Sequence, residues 1–109
     1  MPKLRTQRDR FGNEIYLSDE RWAHIIAPDN HPELESCFDY VRQTIHLGHR
    51  RQDQYDPGNY QYYRIFPDLP DYNTHIVVCV RFRLAAEPDG TVREEKFVTT
   101  AYFQFFIRE

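Results

Sequence analysis

Hydrophobic residues follow a helical spacing in the first half of this 109-residue chain and a two-residue alternation in the second half. In the helical part, Pro32 stands at the favoured first position of a helix, and Gly48 provides a stop signal. Between them, apolar positions at i, i+3, i+4, i+7 and i+11 form one stripe: Leu34, Cys37, Phe38, Val41 and Ile45. This stripe predicts an amphipathic helix over about 32–47.

A shorter helix is predicted just before it. Ser18 is followed by Asp19 and Glu20, a pattern typical of a helix N-terminus, because a hydroxyl caps backbone N–H groups and acids favour the first turn. We expect this helix to run to about Ala27. His24 should be exposed, opposite a buried side formed by Trp22, Ile25 and Ile26.

From His49 onward, apolar and polar residues alternate, which predicts strands whose successive side chains point to opposite faces. The expected strands cover residues 49–55, 60–66, 74–84 and 97–107. In the last strand, alternation assigns the core face to Phe97, Ala101, Phe103, Phe105 and Ile107. It assigns the opposite face to Val98, Thr100, Tyr102, Gln104 and Arg108.

The order of these elements predicts an α+β fold, with two N-terminal helices packed on one face of a four-stranded antiparallel sheet. A chain of 109 residues suffices for one domain with a single core. Residues 1–10 are charged and aperiodic and should form a flexible N-terminal arm, so the domain is expected to cover residues 11–109. Its first element should be a short strand or hairpin arm within Phe11–Leu17, with a turn at Gly12 and Asn13.

The composition predicts where the protein resides and which kinds of partner it binds. Hydrophobic residues make up 40% of the chain, as in globular proteins, and no apolar run approaches the ~20 residues of a membrane span. The chain start lacks the apolar segment of a signal peptide, and Cys37 and Cys79 are widely spaced, so we expect reduced thiols, a cytoplasmic protein and no membrane partner. The net charge of −3 argues mildly against tight nucleic-acid binding, although twelve of the fourteen basic residues are arginine, which suits phosphate groups.

The polar faces of the predicted strands bring arginine, tyrosine and threonine side chains to the free side of the sheet. The residues concerned are Tyr60, Tyr62, Arg64, Arg81, Arg83, Thr100, Tyr102 and Gln104. Such a face suits RNA, because guanidinium groups contact phosphates and aromatic rings stack on unpaired bases. A plain solvated sheet face, the more common case, accounts for the same residues through strand propensity alone.

Histidine is the natural candidate for proton transfer near neutral pH, and the chain has five. His46 and His49 form an H-x-x-H pair, but Gly48 lies between them where the helix ends, so no metal site or cofactor is expected. Ser18 and Ser36 are the only serines, and Ser18 is better explained as a helix cap, which argues against a serine nucleophile.

Short motifs give the chain a resemblance to a known family. They are Ile-Tyr-Leu-Ser-Asp-Glu-Arg-Trp-x-His-Ile, His-Pro-Glu-Leu, Tyr-Tyr-Arg, Ile-Val-Val-Cys-Val and Val-Thr-Thr-Ala-Tyr, between about residues 14 and 103. Together they resemble the phage and bacterial members of the barnase–EndoU–colicin–RelE-like (BECR-fold) nuclease superfamily. The resemblance implies two helices on a four-stranded antiparallel sheet, and metal-independent RNA cleavage on the open side of that sheet.

The resemblance also implies a set of site residues. The family's helix histidine falls on His24, the basic residue of the Tyr-Tyr-Arg strand on Arg64, and the terminal Thr-Ala-Tyr on Thr100 and Tyr102. His24 or Tyr102 would exchange protons while the RNA 2′-hydroxyl attacks the neighbouring phosphate. Arg64 and Thr100 would bind the charged phosphate oxygens. Substrate binding would fall to the polar-face residues Tyr62, Arg81, Arg83 and Gln104.

Three functions therefore remain open. The first is a metal-independent endoribonuclease, in the form of the toxin of a toxin–antitoxin pair, with RNA and an antitoxin protein as partners. The second is a catalytically silent protein- or RNA-binding module on the same fold, which the acidic net charge favours and in which the loop Pro67–Asn73 would contact a partner. The third is a structural subunit that binds a small molecule. The oligomeric state is left open.

Overall fold

The computed structural model describes residues 4–106, with two α-helices, one 3-10 helix and six strands. The elements follow one another as β1 (Leu4–Arg8), β2 (Glu14–Ser18), α1 (Asp19–Ile25), the 3-10 helix (Pro32–Cys37), α2 (Phe38–Leu47), β3 (His49–Gln52), β4 (Asn59–Ile65), β5 (His75–Ala86) and β6 (Val92–Gln104). The strands form one curled sheet in the order β1-β2-β6-β5-β4-β3. β2 and β6 are parallel, and the other neighbours are antiparallel. Residues 1–3 and 107–109, which include Ile107 and Arg108 of the predicted last strand, lie outside the described residues.

The prediction of two N-terminal helices on a four-stranded antiparallel sheet is wrong. The chain is α+β, but its sheet has six strands and its two α-helices are short. One added strand is β1, which lies where a flexible arm was expected and pairs with β2 from Leu4 opposite Ser18 to Arg8 opposite Glu14. The sequence of β1 is mostly polar, so it lacks the alternation that marks a half-buried strand. Backbone pairing at the sheet edge forms it instead.

Helix α1 begins where the sequence predicts. The Ser18 hydroxyl oxygen accepts a hydrogen bond from the backbone N–H of Arg21 at 3.0 Å, which caps the helix. The helix ends at Ile25, before the expected Ala27. His24 is exposed on its outer side, as predicted.

The second predicted helix divides into the 3-10 helix and α2, which pack on one side of the sheet. Of its apolar stripe, Leu34, Val41 and Ile45 are buried as predicted. Phe38 is only half-buried and packs edge-on against Trp22, with 4.9 Å between ring centroids. The sheet contributes to the same core Ile15, Leu17, Tyr62, Ile76, Val78, Val80, Val98 and Ala101. We call this side the helix face, and the side that carries the alternate residues Tyr63, Val77 and Tyr102 the open face.

A β-bulge at Thr99 reverses which residues of β6 face the core on either side of it. Cys79 of β5 pairs with Thr100, whereas the next residue, Val80, pairs with Val98, so Thr99 has no cross-strand partner. Val98 and Ala101 consequently share the helix face, although strict alternation predicts opposite faces for them. The assignments of Val98 to the polar face and of Phe97 to the core face are therefore wrong. Phe105, also assigned to the core face, is exposed beyond the end of β6. The Thr99 hydroxyl donates to the backbone oxygen of Cys79 at 3.2 Å.

The turn between β1 and β2 places a buried carboxylate on the helix face. The Asp9 side chain has no exposed surface and accepts hydrogen bonds from the backbone N–H groups of Phe11 at 2.9 Å and Asn13 at 2.8 Å. It also accepts one from the Tyr62 hydroxyl at 2.5 Å and lies 3.8 Å from the Arg50 guanidinium. Tyr62 belongs to β4, which is separated from β1 by β2, β6 and β5. This contact closes the curl of the sheet around α2.

The environment of Asp9 stabilises its charged form. Burial disfavours the charge, but hydrogen bonds from Tyr62, Asn13 and two backbone N–H groups outweigh burial and hold the pKa of Asp9 below its ordinary value. Burial and the hydrogen bond to Asp9 raise the pKa of Tyr62, so its hydroxyl stays protonated and donates.

We predict that Asp9→Asn destabilises the fold by about 3 kcal/mol, because the charge-assisted hydrogen bonds are lost and Arg50 keeps no carboxylate partner there. The folded-state pKa of Asp9 lies below its unfolded value. Its contribution is therefore complete above the unfolded pKa and is lost as the pH falls through the folded pKa. Urea unfolding at neutral and acidic pH measures both effects.

The matched control is Asp29→Asn, since Asp29 is exposed in the loop after α1. This variant should change the free energy of unfolding by less than about 0.5 kcal/mol. An Asp9→Asn protein as stable as the wild type at neutral pH, with the same loss on acidification, contradicts the role assigned to Asp9.

Candidate functional site

The strand register separates residues that the sequence analysis placed on one polar face. Tyr62 is buried in the core, and Arg64, two residues later, pairs with the core residue Ile76. Both therefore lie on the helix face. Tyr102 pairs with Val77 and lies on the open face. Arg64 and Tyr102 are thus on opposite faces of the sheet, and the prediction that they converge in one site is wrong.

Three tyrosines in β4 explain this error. Tyr60 and Tyr62 share the helix face, and Tyr63 lies on the open face. Alternation alone does not identify the buried phase, because either phase contains an aromatic residue. The Tyr62 phenol is fully buried and binds Asp9, so it has no access to a substrate.

Arg81 and Arg83 lie on the open face, but each already pairs with a carboxylate. Arg81 Nη1 donates to Asp56 Oδ2 at 2.5 Å and to Asn59 Oδ1 at 3.0 Å, which fixes the turn between β3 and β4. Arg83 Nη2 donates to Glu95 Oε2 at 3.3 Å. These ion pairs offset the charges that were expected to bind phosphate.

The four predicted catalytic residues lie on three different elements. Arg64 is on the helix face, while Thr100 and Tyr102 follow one another on the open face of β6, with Gln104 next. His24 lies on α1, where it shares a depression with Ser18, Glu20 and Arg21.

Tyr102 has surroundings that keep its proton in place. Burial raises the pKa of Tyr102, and the adjacent Cys79 raises it further, while the positive charge of Arg51 opposes the shift. The phenol therefore stays protonated at neutral pH and acts as a hydrogen-bond donor rather than a base. Burial also raises the pKa of Cys79, which the hydrogen bond with Tyr102 and the charge of Arg51 offset only in part.

A group of aromatic rings on the open face was missed by the sequence analysis. Tyr63 lies at its centre, with its ring centroid 5.8 Å from that of His49 and 6.3 Å from that of His75. The Phe106 ring lies 5.9 Å from Tyr63 and 4.4 Å from His75. The Arg51 guanidinium is 5.9 Å from the Tyr63 ring and 5.8 Å from the Phe106 ring. We call these five residues the aromatic platform.

The platform is firmly seated yet accessible. Val77 lies between Tyr63 and Tyr102 in one cross-strand row. It is only 1% exposed, although it lies outside the core of the helix face, so its neighbours on the open face cover it. His49 and Arg51 are exposed on the edge strand β3. The sequence predicts that His49 and Arg51, two residues apart in a strand, share a face. Only the pairing of His49 with Tyr63 shows that this face also carries the Tyr63 ring.

A groove, the edge groove, opens beside the platform. His49, the first residue of β3, pairs with Tyr63, so Arg64 and Ile65 of β4 extend past the end of β3. The edge groove is lined by Arg10, Leu47, Gly48, His49, Tyr63, Arg64, Ile65 and His75. None of these lining residues of the described chain is acidic.

Gly48 allows α2 to end directly against β4 at this groove. A Cβ atom on Gly48 would lie 2.2 Å from the backbone oxygen of Thr44 and 2.8 Å from that of Tyr63. Both distances are far below a normal contact, so the close approach of the two backbones requires glycine here. The walls of the edge groove depend on this approach.

The opposite end of α2 borders an acidic depression. Among the residues that line it are Glu33, Asp39 and Asp68, together with Tyr40, whose hydroxyl donates to Asp68 at 2.8 Å. Acidic residues near the N-terminus of α2 and basic residues near its C-terminus match the direction of the helix dipole.

We predict that Cys79 is a slow nucleophile, because its thiol is half-buried and burial raises its pKa. Alkylation by iodoacetamide at neutral pH, followed by peptide mass spectrometry, measures its rate. The same cysteine in urea-unfolded protein is the control and should react at least about tenfold faster. Equal rates in the folded and unfolded protein contradict the described surroundings of Cys79.

Within residues 4–106, no group of three or more His, Cys, Asp or Glu residues is arranged to hold a metal ion. No helix in the same range is long and apolar enough to cross a bilayer. The chain matches no protein-family model, and comparisons with curated proteins and with solved structures found no match. The resemblance to BECR-fold nucleases therefore stays a prediction from sequence motifs.

Proposed function

We propose that this protein binds single-stranded RNA through the aromatic platform. The observation that carries the proposal is the central position of Tyr63 on the open face, with the Arg51 guanidinium and two histidine rings around it. Aromatic rings and guanidinium planes stack on unpaired bases, and a guanidinium also contacts phosphate. Both kinds of group stand together here.

The partner of Arg51 supports this role. Arg50, Arg81 and Arg83 are paired with carboxylates, which offset their charge. Arg51 instead donates to the side-chain oxygen of Gln61 at 2.6 Å, a neutral acceptor. This hydrogen bond orients the guanidinium and leaves its charge available to a polyanion.

The angles between the rings favour binding of unpaired, unstacked bases. Tyr63 meets His49 at 37°, His75 at 53° and Phe106 at 78°, so the rings present distinct faces rather than one continuous stack. Bases can reach such faces only after they leave a duplex, which favours single strands. The tilted contacts also hold the rings in place before RNA arrives.

Polar groups beside the platform suit ribose. Thr100 and Gln104 lie on the same face as Tyr102 and supply a hydroxyl and an amide. Such groups can hydrogen-bond to the 2′-hydroxyl, which distinguishes RNA from DNA. Because the net charge is −3, we expect stacking rather than long-range attraction to supply most of the affinity.

This proposal corresponds to the binding-module alternative of the sequence analysis. The endoribonuclease hypothesis relies on joint action of Arg64 and Tyr102, and these two residues lie on opposite faces of the sheet. Ribonuclease activity, a toxin role and an antitoxin partner stay predictions from the resemblance.

We predict that Tyr63→Ala weakens binding of a fluorescent single-stranded RNA of roughly ten nucleotides by about 5- to 150-fold, the effect of losing one stacked base. Arg51→Gln should weaken binding in the same direction. Fluorescence anisotropy measures the affinity, and electrophoresis of the recovered RNA shows whether it is intact. A duplex of the same sequence and the matching DNA strand should bind more weakly.

Two controls match these variants in chemistry. Tyr72→Ala removes a tyrosine that is 92% exposed in the loop after β4, and Arg93→Gln removes an exposed arginine of β6 that pairs with Glu87. Neither should change RNA affinity. The proposal is wrong if the platform variants, folded by circular dichroism, bind RNA as the wild type does, or if the controls weaken binding equally.

A further inference from the structure

We infer that the edge groove is a phosphate subsite, which binds a phosphate group of the RNA whose bases contact the platform. The inference rests on the proposed RNA binding and adds a second place of contact to it. It follows from the charge of the groove, from the way its arginines are held, and from its continuity with the platform.

The groove is positively charged. Two arginines, Arg10 and Arg64, line it together with His49 and His75, and no lining residue of the described chain is acidic. Arginine is permanently charged and matches the geometry of phosphate oxygens. In a chain with a net charge of −3, such a local excess of positive charge marks a place for an anion.

Neutral groups hold both arginines. Arg64 Nη1 donates to Gln43 Oε1 at 2.9 Å, and Arg10 Nη2 donates to the backbone oxygen of Leu47. Each guanidinium has five N–H donors, so one such bond leaves others for a ligand. The five arginines Arg8, Arg50, Arg81, Arg83 and Arg93 differ, since each pairs with a carboxylate.

Contacts within the protein orient the two guanidinium groups before a ligand binds. Arg64 lies over the Phe66 ring, with 5.1 Å from its central carbon to the ring centroid. Arg10 is held at the C-terminal end of α2, where the last carbonyls carry partial negative charge. Fixed donors lose little freedom on binding, which increases affinity for a planar or tetrahedral oxyanion.

The groove and the platform share residues. His49, Tyr63 and His75 line the groove and belong to the platform. A nucleotide whose base stacks on Tyr63 therefore places its phosphate within reach of the groove. A carboxylate ligand would satisfy the arginines equally well, but it would leave the adjoining rings without a partner.

The test compares adenosine ligands with and without phosphate, of which ApA also carries a second nucleoside. Isothermal titration with adenosine, adenosine 5′-monophosphate and the dinucleotide ApA separates the base, a terminal phosphate and an internal phosphodiester. We expect the monophosphate to bind the wild type about tenfold more tightly than adenosine. In Arg64→Gln and in Arg10→Gln this advantage should disappear, while adenosine affinity stays the same. An advantage for ApA that is lost in the same variants would show that an internal phosphodiester also occupies the groove.

Arg42→Gln is the matched control. Arg42 is an exposed arginine of α2 that also donates to a neutral acceptor, Gln7 Oε1 at 3.2 Å, but it does not line the groove. This variant should keep the full phosphate advantage. Circular dichroism of each variant confirms the fold, and Arg10→Gln, at an exposed residue, tests the groove if Arg64→Gln fails to fold.

Three results would overturn the inference. The first is equal affinity of the wild type for adenosine and its monophosphate while RNA still binds, which leaves the platform proposal intact. The second is loss of the phosphate advantage in Arg42→Gln to the same extent. The third is binding of inorganic phosphate without any binding of adenosine or RNA, which also overturns the proposed function.

Discussion

The fold depends on one buried carboxylate. Asp9 follows β1 at one edge of the sheet, yet it accepts a hydrogen bond from Tyr62 near the other edge, because the sheet curls around α2. Burial of an unpaired carboxylate would be costly, so Arg50 and the backbone N–H groups of Phe11 and Asn13 are needed to stabilise it. The helix face is thereby closed over its core, and the open face and the edge groove are the surfaces that we propose for a ligand.

The charged side chains divide into those that stabilise the fold and those that remain available for binding. On the helix face, the charges of Asp9 and Arg50 offset each other within the structure. Arg51 on the open face and Arg64 in the edge groove are instead oriented by neutral side-chain amides, so their charges are not offset by these contacts. Counting arginines in the sequence does not reveal this division, because it depends on which acceptor each guanidinium reaches.

Local signals in the sequence predicted local structure well. The cap at Ser18 and the buried stripe containing Val41 and Ile45 follow from short-range rules of helix geometry. Local signals did not predict which of the two alternating sets of side chains in a strand faces the core. The bulge at Thr99 and the choice between Tyr62 and Tyr63 as core residue depend on cross-strand pairing, which no local pattern specifies. The candidate site was misplaced for the same reason.

The opposite charges at the two ends of α2 have a kinetic consequence. Its first turn borders a depression with Glu33, Asp39 and Asp68, and its last residue, Leu47, accepts a hydrogen bond from Arg10 of the edge groove. For ten residues the two ends of the helix lie roughly 15 Å apart, farther than the Debye length of about 8 Å in physiological salt. An approaching polyanion at close range therefore feels the nearer end rather than the net charge. The molecule would turn its basic end toward the ligand during encounter, and added salt would slow association more than it speeds release.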